Sequence, residues 1–184
     1  MILLVGIPGS GKSSILNVVR KALERIQIVN FGEKMLEETD LENENRDLLR
    51  KLPASRQREL GLSSAKKIRQ GAASQTIVDT HALIKTDTGY VNGLPLEVLD
   101  ILKPRLYAFV ECDPSIIIQR RSKDPKRKRD VEKREEIALH QELTKTYLST
   151  CALLTQSDFF RVNNNSDSID ANAASFIEAI KALK

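Results

Sequence analysis

The apolar run Ile2-Leu3-Leu4-Val5 breaks directly into Gly6-Ile7-Pro8-Gly9-Ser10-Gly11-Lys12-Ser13, and nothing else in the chain restricts its fold so tightly. Continuous apolar character, without alternation, predicts a strand buried on both faces, as in a parallel sheet. Beyond the glycines, Ile15, Val18, Val19, Ala22, Leu23 and Ile26 recur at helical spacing. A buried strand that turns through a glycine-rich loop into an amphipathic helix opens an α/β domain.

The alternation continues down the chain. Residues 27–31 and 76–79 predict short strands, residues 106–112 a longer one and residues 159–163 a last one. Between them, residues 33–73 read as charged and helical, broken by Pro53 and Gly61. Turn formers over 86–93, with Tyr90 and Val91 among them, predict a hairpin or loop, and Pro95 opens a short helix. Asp113-Pro114 pairs an N-cap with proline at the first helical position, starting a helix over 115–121. A basic stretch over 123–130, a long helix over 132–154 and an amphipathic helix over 169–183 complete the pattern. The reading is α/β: one three-layer P-loop NTPase domain over residues 1–184 with a mostly parallel central sheet. Residues 33–73 form a helical insert, and 123–131 a short one, over the open end of that sheet.

Each fixed position of G-x-x-x-x-G-K-[ST] has a chemical reason. Glycines let main-chain N–H groups turn inward around phosphate oxygens, and the helix that follows aims its positive dipole end at the same anion. Gly6, Pro8, Gly9, Ser10, Gly11, Lys12, Ser13 and Ser14 are therefore the candidate ATP-binding residues. Lys12 is placed on the β- and γ-phosphates, and the Ser13 hydroxyl on Mg2+. Asp79, at the end of the second core strand, is the other candidate magnesium ligand. A base-specifying N-K-x-D is absent, which argues against a GTPase.

Composition excludes more than it assigns. With 41% hydrophobic and 29% charged residues over 184 positions, the chain fits one ordinary globular core. Aromatic residues make up only 4%, so stacking platforms for single-stranded nucleic acid are scarce despite the net charge of +4. No apolar run approaches a membrane span or a signal-peptide core, and two cysteines suggest no disulfide framework. The expectation is a cytoplasmic protein with no membrane or nucleic-acid partner. The run Lys126-Arg127-Lys128-Arg129 keeps a nucleotide-dependent RNA-binding or assembly factor as an alternative. A small-metabolite kinase, with Asp79 as base for a hydroxyl acceptor, is another.

Several segments together resemble the archaeal-type adenylate kinases over almost the whole chain. They are the P-loop, Val29-Asn30-Phe31-Gly32, Arg46-Asp47, Leu49-Arg50-Lys51-Leu52 and Ile77-Val78-Asp79-Thr80-His81 with Lys85-Thr86. Gly89-Tyr90, Gly93-Leu94-Pro95, Arg127-Lys128-Arg129-Asp130 and His140-Gln141 extend the match. As in that family, the cysteine lid of bacterial and eukaryotic relatives is missing. The resemblance implies reversible transfer from MgATP to AMP giving two ADP, and a homotrimer. It makes 33–73 the AMP-binding insert, in which Arg46 and Arg50, four apart on one helix face, hold the AMP phosphate. Asn30 and Phe31 line the AMP pocket, with His81 and Lys85 beside it. Arg120, Arg127 and Arg129 accompany Lys12 as the catalytic cations, with Arg121 also flanking a lid over 123–131. His140 is read as a packing or hinge contact, and the 163–166 loop as a place where the adenine edge is met by backbone groups.

Overall fold

The computed structural model describes residues 1–39, 49, 52–123 and 132–183. Five strands form the central sheet: β1 (Ile2–Val5), β2 (Gln27–Asn30), β3 (Thr76–Thr80), β6 (Leu106–Glu111) and β7 (Asp158–Asn163). Their order is β2-β3-β1-β6-β7, and every pairing is parallel. A separate antiparallel hairpin joins β4 (Leu83–Thr86) to β5 (Gly89–Asn92). The predicted hairpin at 86–93 is thus real but begins three residues earlier.

Seven helices among the described residues cover the sheet: α1 (Lys12–Ala22), α2 (Phe31–Leu36), α3 (Ala54–Gln70), α4 (Leu96–Leu102), α5 (Pro114–Ser122), α6 (Arg134–Leu154) and α7 (Ile169–Ala182). β1 explains why its residues are all apolar. Ile2 and Leu4 point to one face, where Ile15 and Val19 of α1 meet Phe176 and Ile180 of α7. Leu3 and Val5 point to the other, among Phe31, Ile68 of α3, Leu102 of α4 and Leu148 of α6. Tyr107 and Phe109 of β6 are wholly buried on that second face. A fully buried side chain of this size contributes about 1.5–3 kcal/mol, so the two packed faces fix the sheet between helices. The predicted three-layer α/β architecture is the observed one.

Two local readings change. α1 ends at Ala22, and Ile26 lies in the turn that follows, its N–H bonded to the Leu23 carbonyl at 3.2 Å. Gly61 does not break its helix but lies buried within α3. A glycine there costs about 1 kcal/mol relative to alanine. The buried face made by Leu60, Ser64, Ala65 and Ile68 outweighs that cost.

Chain direction places the site. After β1 the chain crosses to α1 on one face, whereas the segment after β3 leads to α4 on the other. Loops that leave adjacent parallel strands in opposite directions open a crevice at the carboxyl ends of those strands. Here the crevice lies between the glycine loop and Asp79-Thr80-His81.

Candidate active site

The glycine loop is built by exclusion of side chains. Gly9 and Gly11 hold φ of +89° and +92°, a region costly for any residue with a Cβ. Gly6 is needed for space instead: a Cβ there would lie 3.1 Å from the Val110 carbonyl and crowd Ser10. Gly11 caps α1 without any side-chain hydrogen bond, and the first turn carries no acid. No side chain of this eleven-residue helix therefore competes with an external anion at its positive end.

The loop's carbonyls, by contrast, are held from outside by residues far along the chain. Arg120 and Arg121, successive on α5, take alternate carbonyls. Arg120 donates to the Ser10 carbonyl at 3.2 Å and to that of Asn164 at 3.3 Å. Arg121 donates to the Pro8 carbonyl through Nε at 3.0 Å and Nη2 at 2.7 Å. Asn164, fully buried, adds a 2.6 Å bond from Nδ2 to Ser10 and is itself held by Asn172 at 2.9 Å. Fixing the carbonyls outward fixes the peptide planes, and with them the direction of the N–H groups.

Lys12 lies across the mouth of the crevice. Its Nζ donates to the Gly6 carbonyl at 3.0 Å and stands 3.6 Å from Asp79 Oδ1. Both ring nitrogens of His81 are 3.4 Å away. His81 Nδ1 donates to the same Gly6 carbonyl at 2.8 Å, which puts a proton on that nitrogen. One oxygen thus joins the lysine of the glycine loop to the histidine that follows β3. Asp79 sits one residue before the end of its strand, its side chain 14% exposed. Asp79 Oδ2 accepts from Asn30 Nδ2 at 3.0 Å, while Asn30 Oδ1 caps α2 at the Glu33 amide, 3.1 Å. Phe31 follows it into the core.

Among the described residues, two buried side-chain polar atoms lack a hydrogen-bond partner: Ser10 Oγ and Asp79 Oδ1. A buried carboxylate oxygen without a donor is costly unless a cation balances it. Asp79 Oδ1, 3.6 Å from Lys12 Nζ, is an oxygen that a hydrated divalent ion could use, and Ser13, at the start of α1, is exposed. No cluster of three or more acidic, histidine or cysteine ligands exists among the described residues, so any metal would arrive with its own oxygen ligands. Magnesium carried on nucleotide phosphates behaves that way.

The remaining candidates are spread around this centre. Lys85, on β4, is bonded to Glu132 Oε1 at 2.9 Å and lies 3.5 Å from Glu136. Its hydrogen bond to Glu132, with both neighbouring carboxylates, raises its pKa despite partial desolvation. His140 is buried on α6, its Nε2 at 3.1 Å from the Leu83 carbonyl and its ring 4.9 Å from that of Tyr90. Burial lowers its pKa. Its contacts are with the hairpin rather than the crevice. Arg46, Arg50, Arg127 and Arg129 lie outside the described residues. So does most of the short insert read over 123–131.

Two structural roles escape inspection of the sequence. The first belongs to the asparagines after β7: Asn164 N–H extends the sheet to the Glu111 carbonyl at 2.8 Å, and Asn165 accepts from the Asp113 amide at 2.6 Å. The second belongs to Gln141 on α6. Its amide closes both backbone groups of buried Cys112, accepting at 3.1 Å and donating at 2.8 Å. A polar residue on the buried face of a long helix was the one available sign. Gln141→Leu strands that pair, and we expect a loss of about 2–4 kcal/mol. The thermal midpoint should fall by about 5–15 °C in circular dichroism. An unchanged midpoint would show that solvent or another group satisfies Cys112.

A parallel sheet with a glycine-rich phosphate loop after its central strand, and a carboxylate on the neighbouring strand, defines a P-loop NTPase domain. The comparisons agree. A family model described as an AAA domain matches residues 5–138. Shikimate kinase from Acinetobacter baumannii in complex with shikimate shares the fold with a TM-score of 0.65 at 16% identity, over 100% of this chain and 94% of that one. An adenylate kinase of Methanopyrus kandleri is 37% identical over 100% of this chain and 98% of its own length. One from Pyrococcus horikoshii is 40% identical over 91% of this chain and 87% of its own. The chain belongs to the adenylate kinase family and is a nucleoside monophosphate kinase. Among the described residues, no helix is long and apolar enough to cross a membrane.

Proposed function

We propose that the glycine loop takes MgATP, that AMP lies beyond Asp79 and His81, and that the γ-phosphoryl group passes between them to give two ADP. The observation that carries this reading is the position of Lys12, bound at once to the donor loop through Gly6 and close to both Asp79 and His81. A cation there can follow charge from one phosphate to the next.

An AMP phosphate is ionised at neutral pH, so its oxygen needs no base. It attacks the γ-phosphorus in line; one P–O bond forms as the bond to the β–γ bridging oxygen breaks, and that electron pair stays on ADP. The protein's work is positioning and charge compensation. The amides of Gly9, Gly11, Lys12 and Ser13 hold the donor phosphates, that of Ser10 being used in the turn to Ile7, while Lys12 exchanges its Gly6 carbonyl for phosphate oxygen. Ser13 and Asp79 would hold the magnesium ion, which would supply positive charge against the phosphates. Asn30 keeps Asp79 aimed by its 3.0 Å bond. That engagement, with Lys12 on the other oxygen, suits a carboxylate that orients a cation better than one that removes a proton from a hydroxyl acceptor. On this reading residues 33–73 are the acceptor insert, with Arg46 and Arg50 on the AMP phosphate, while Phe31 is packed in the core behind that side and offers the ligand no open face. Arg127 and Arg129, in the short lid over 123–131, complete the neutralisation. Water must be kept out, because it would otherwise accept the phosphoryl group.

An acceptor panel tests the proposal. With MgATP held constant, AMP should stimulate ADP formation at least about tenfold over CMP, UMP, GMP or shikimate, in the range expected when a buried base contact is matched or missed. No stimulation by AMP would remove the assignment of the acceptor.

A further inference from the structure

The sharpest feature that the reaction leaves unused is a carboxylate. Glu132, immediately before α6, has a side chain only 12% exposed, yet it belongs to neither the glycine loop nor the crevice wall. One of its oxygens accepts from Arg121 Nη1 and the other from Lys85 Nζ at 2.9 Å. Burial pushes its pKa up, but hydrogen bonds from Lys85 and Arg121 outweigh burial and hold the carboxyl below the usual range. Glu132 is therefore ionised where it sits.

Arg121 is the more deeply placed partner, 9% exposed, and its whole guanidinium is engaged. Nε and Nη2 converge on the Pro8 carbonyl, and Nη1 is on Glu132. A planar fork held at one edge by a single carbonyl can still swing about that contact. The carboxylate on the opposite edge stops that rotation. Pro8 lies in the middle of the glycine loop, inside the turn closed by Ser10 N–H on the Ile7 carbonyl at 3.1 Å. Gly9 leaves no slack either: a Cβ there would come within 3.1 Å of Arg121 Cγ and Nε.

We propose that Glu132 is a positioning residue for phosphoryl transfer, acting through Arg121 to hold the glycine loop in its phosphate-binding shape. Lys85 completes the arrangement by keeping the second carboxylate oxygen occupied, so that the first stays on Arg121. The chain of contacts runs from the β4–β5 hairpin, through Glu132 and Arg121, to Pro8. The inference rests on the reading that this loop binds MgATP.

The test is a double-mutant cycle read as the dissociation constant of a non-hydrolysable MgATP analogue by calorimetry, without AMP. Glu132→Gln keeps the volume and removes the charge; it should weaken binding about five- to twentyfold. Arg121→Lys should weaken it comparably. The double variant should bind no more weakly than the worse single one, because the two residues act as one unit. Glu132→Asp should recover part of the loss, and it supplies the measurement if Glu132→Gln does not fold. Thermal midpoints are taken for every variant. Multiplying losses, or a lower midpoint with unchanged affinity, would reduce Glu132 to a structural ion pair. Tighter binding in Glu132→Gln would mean that the carboxylate competes with phosphate for Arg121, and would overturn the proposal. A wild-type protein that ignores the analogue would instead sink the loop assignment itself, leaving the two failures distinct.

Discussion

Lys12→Ala should lower the rate of ADP formation from MgATP and AMP by about a thousandfold or more while leaving a folded protein. Loss of one preorganised group that stabilises transition-state charge costs roughly a hundred- to a thousandfold in rate. Lys12 exceeds that case because the proposed arrangement sets it between both substrates; it is tied to Gly6 and stands 3.6 Å from Asp79. The fold should survive for a specific reason. Truncation removes the cation paired with Asp79, but Asp79 keeps the hydrogen bond from Asn30, and the space that the lysine side chain vacates beside its other oxygen admits water. A buried carboxylate deprived of every partner would lose about 3–5 kcal/mol; this one should lose much less. Lys12→Arg separates charge from geometry. A guanidinium is wider and planar and cannot occupy the gap between Gly6, Asp79 and His81 as a point charge does. We expect it to be nearly as inactive as Lys12→Ala. Near-normal turnover in Lys12→Ala, measured by a coupled ADP assay beside a thermal melt, would take the glycine loop out of the mechanism.

Local rules reach as far as local contacts do. β1 was legible because a strand buried on two faces must be apolar, β6 because only Glu111 at its end departs from that rule, β3 through the pair Ile77-Val78, and α5 because Asp113 and Pro114 carry a cap and a fixed φ. The cap is observed, with Asp113 accepting from the Ser115 amide at 2.7 Å. The glycine loop was legible for the same reason, since positive φ at Gly9 and Gly11 is written in residue type. What holds the loop was not. Arg121 reaches Pro8 and Asn164 reaches Ser10 across more than a hundred residues of chain, and no spacing rule encodes such pairs. Arg120 illustrates the difference. Its basic character suggested a charge closing over phosphate, yet its guanidinium spans the Ser10 and Asn164 carbonyls. Glu132 was invisible because a glutamate before a helix reads as a favourable dipole partner, and only the fold brings Arg121 and Lys85 to it. Gly61 shows the opposite failure. A local breaker signal was overruled by the packing of α3 against α4, where even an added Cβ at position 61 would stand at ordinary contact distance from Val98.

Gly11→Ala should damage both the fold and the nucleotide site. The strain begins at the backbone: φ is +92°, and a Cβ there costs about 1–2 kcal/mol even in open space. Space is also missing. The added carbon would overlap Asn164 Nδ2 outright and come within 3.1 Å of Arg120 Nη1. Asn164 cannot retreat, because its side chain is bonded to Ser10 and Asn172 and its backbone to Glu111. The loop must therefore move instead, and movement turns the first amides of α1 away from the anion they serve. Overpacking of this kind adds about 1–3 kcal/mol to the backbone term. Together these lower the thermal midpoint by about 5–15 °C. Affinity for MgATP should fall at least about a hundredfold, since misdirected amides forfeit about 3 kcal/mol of charge-assisted hydrogen bonding. Gly89→Ala is the control. Its φ is +130°, but nothing lies within 4 Å of the added carbon, so only the hairpin turn is strained. That variant should lose about 1 kcal/mol and bind MgATP as the wild type does. If Gly11→Ala binds MgATP normally, the fixed conformation of the loop is not what creates the site.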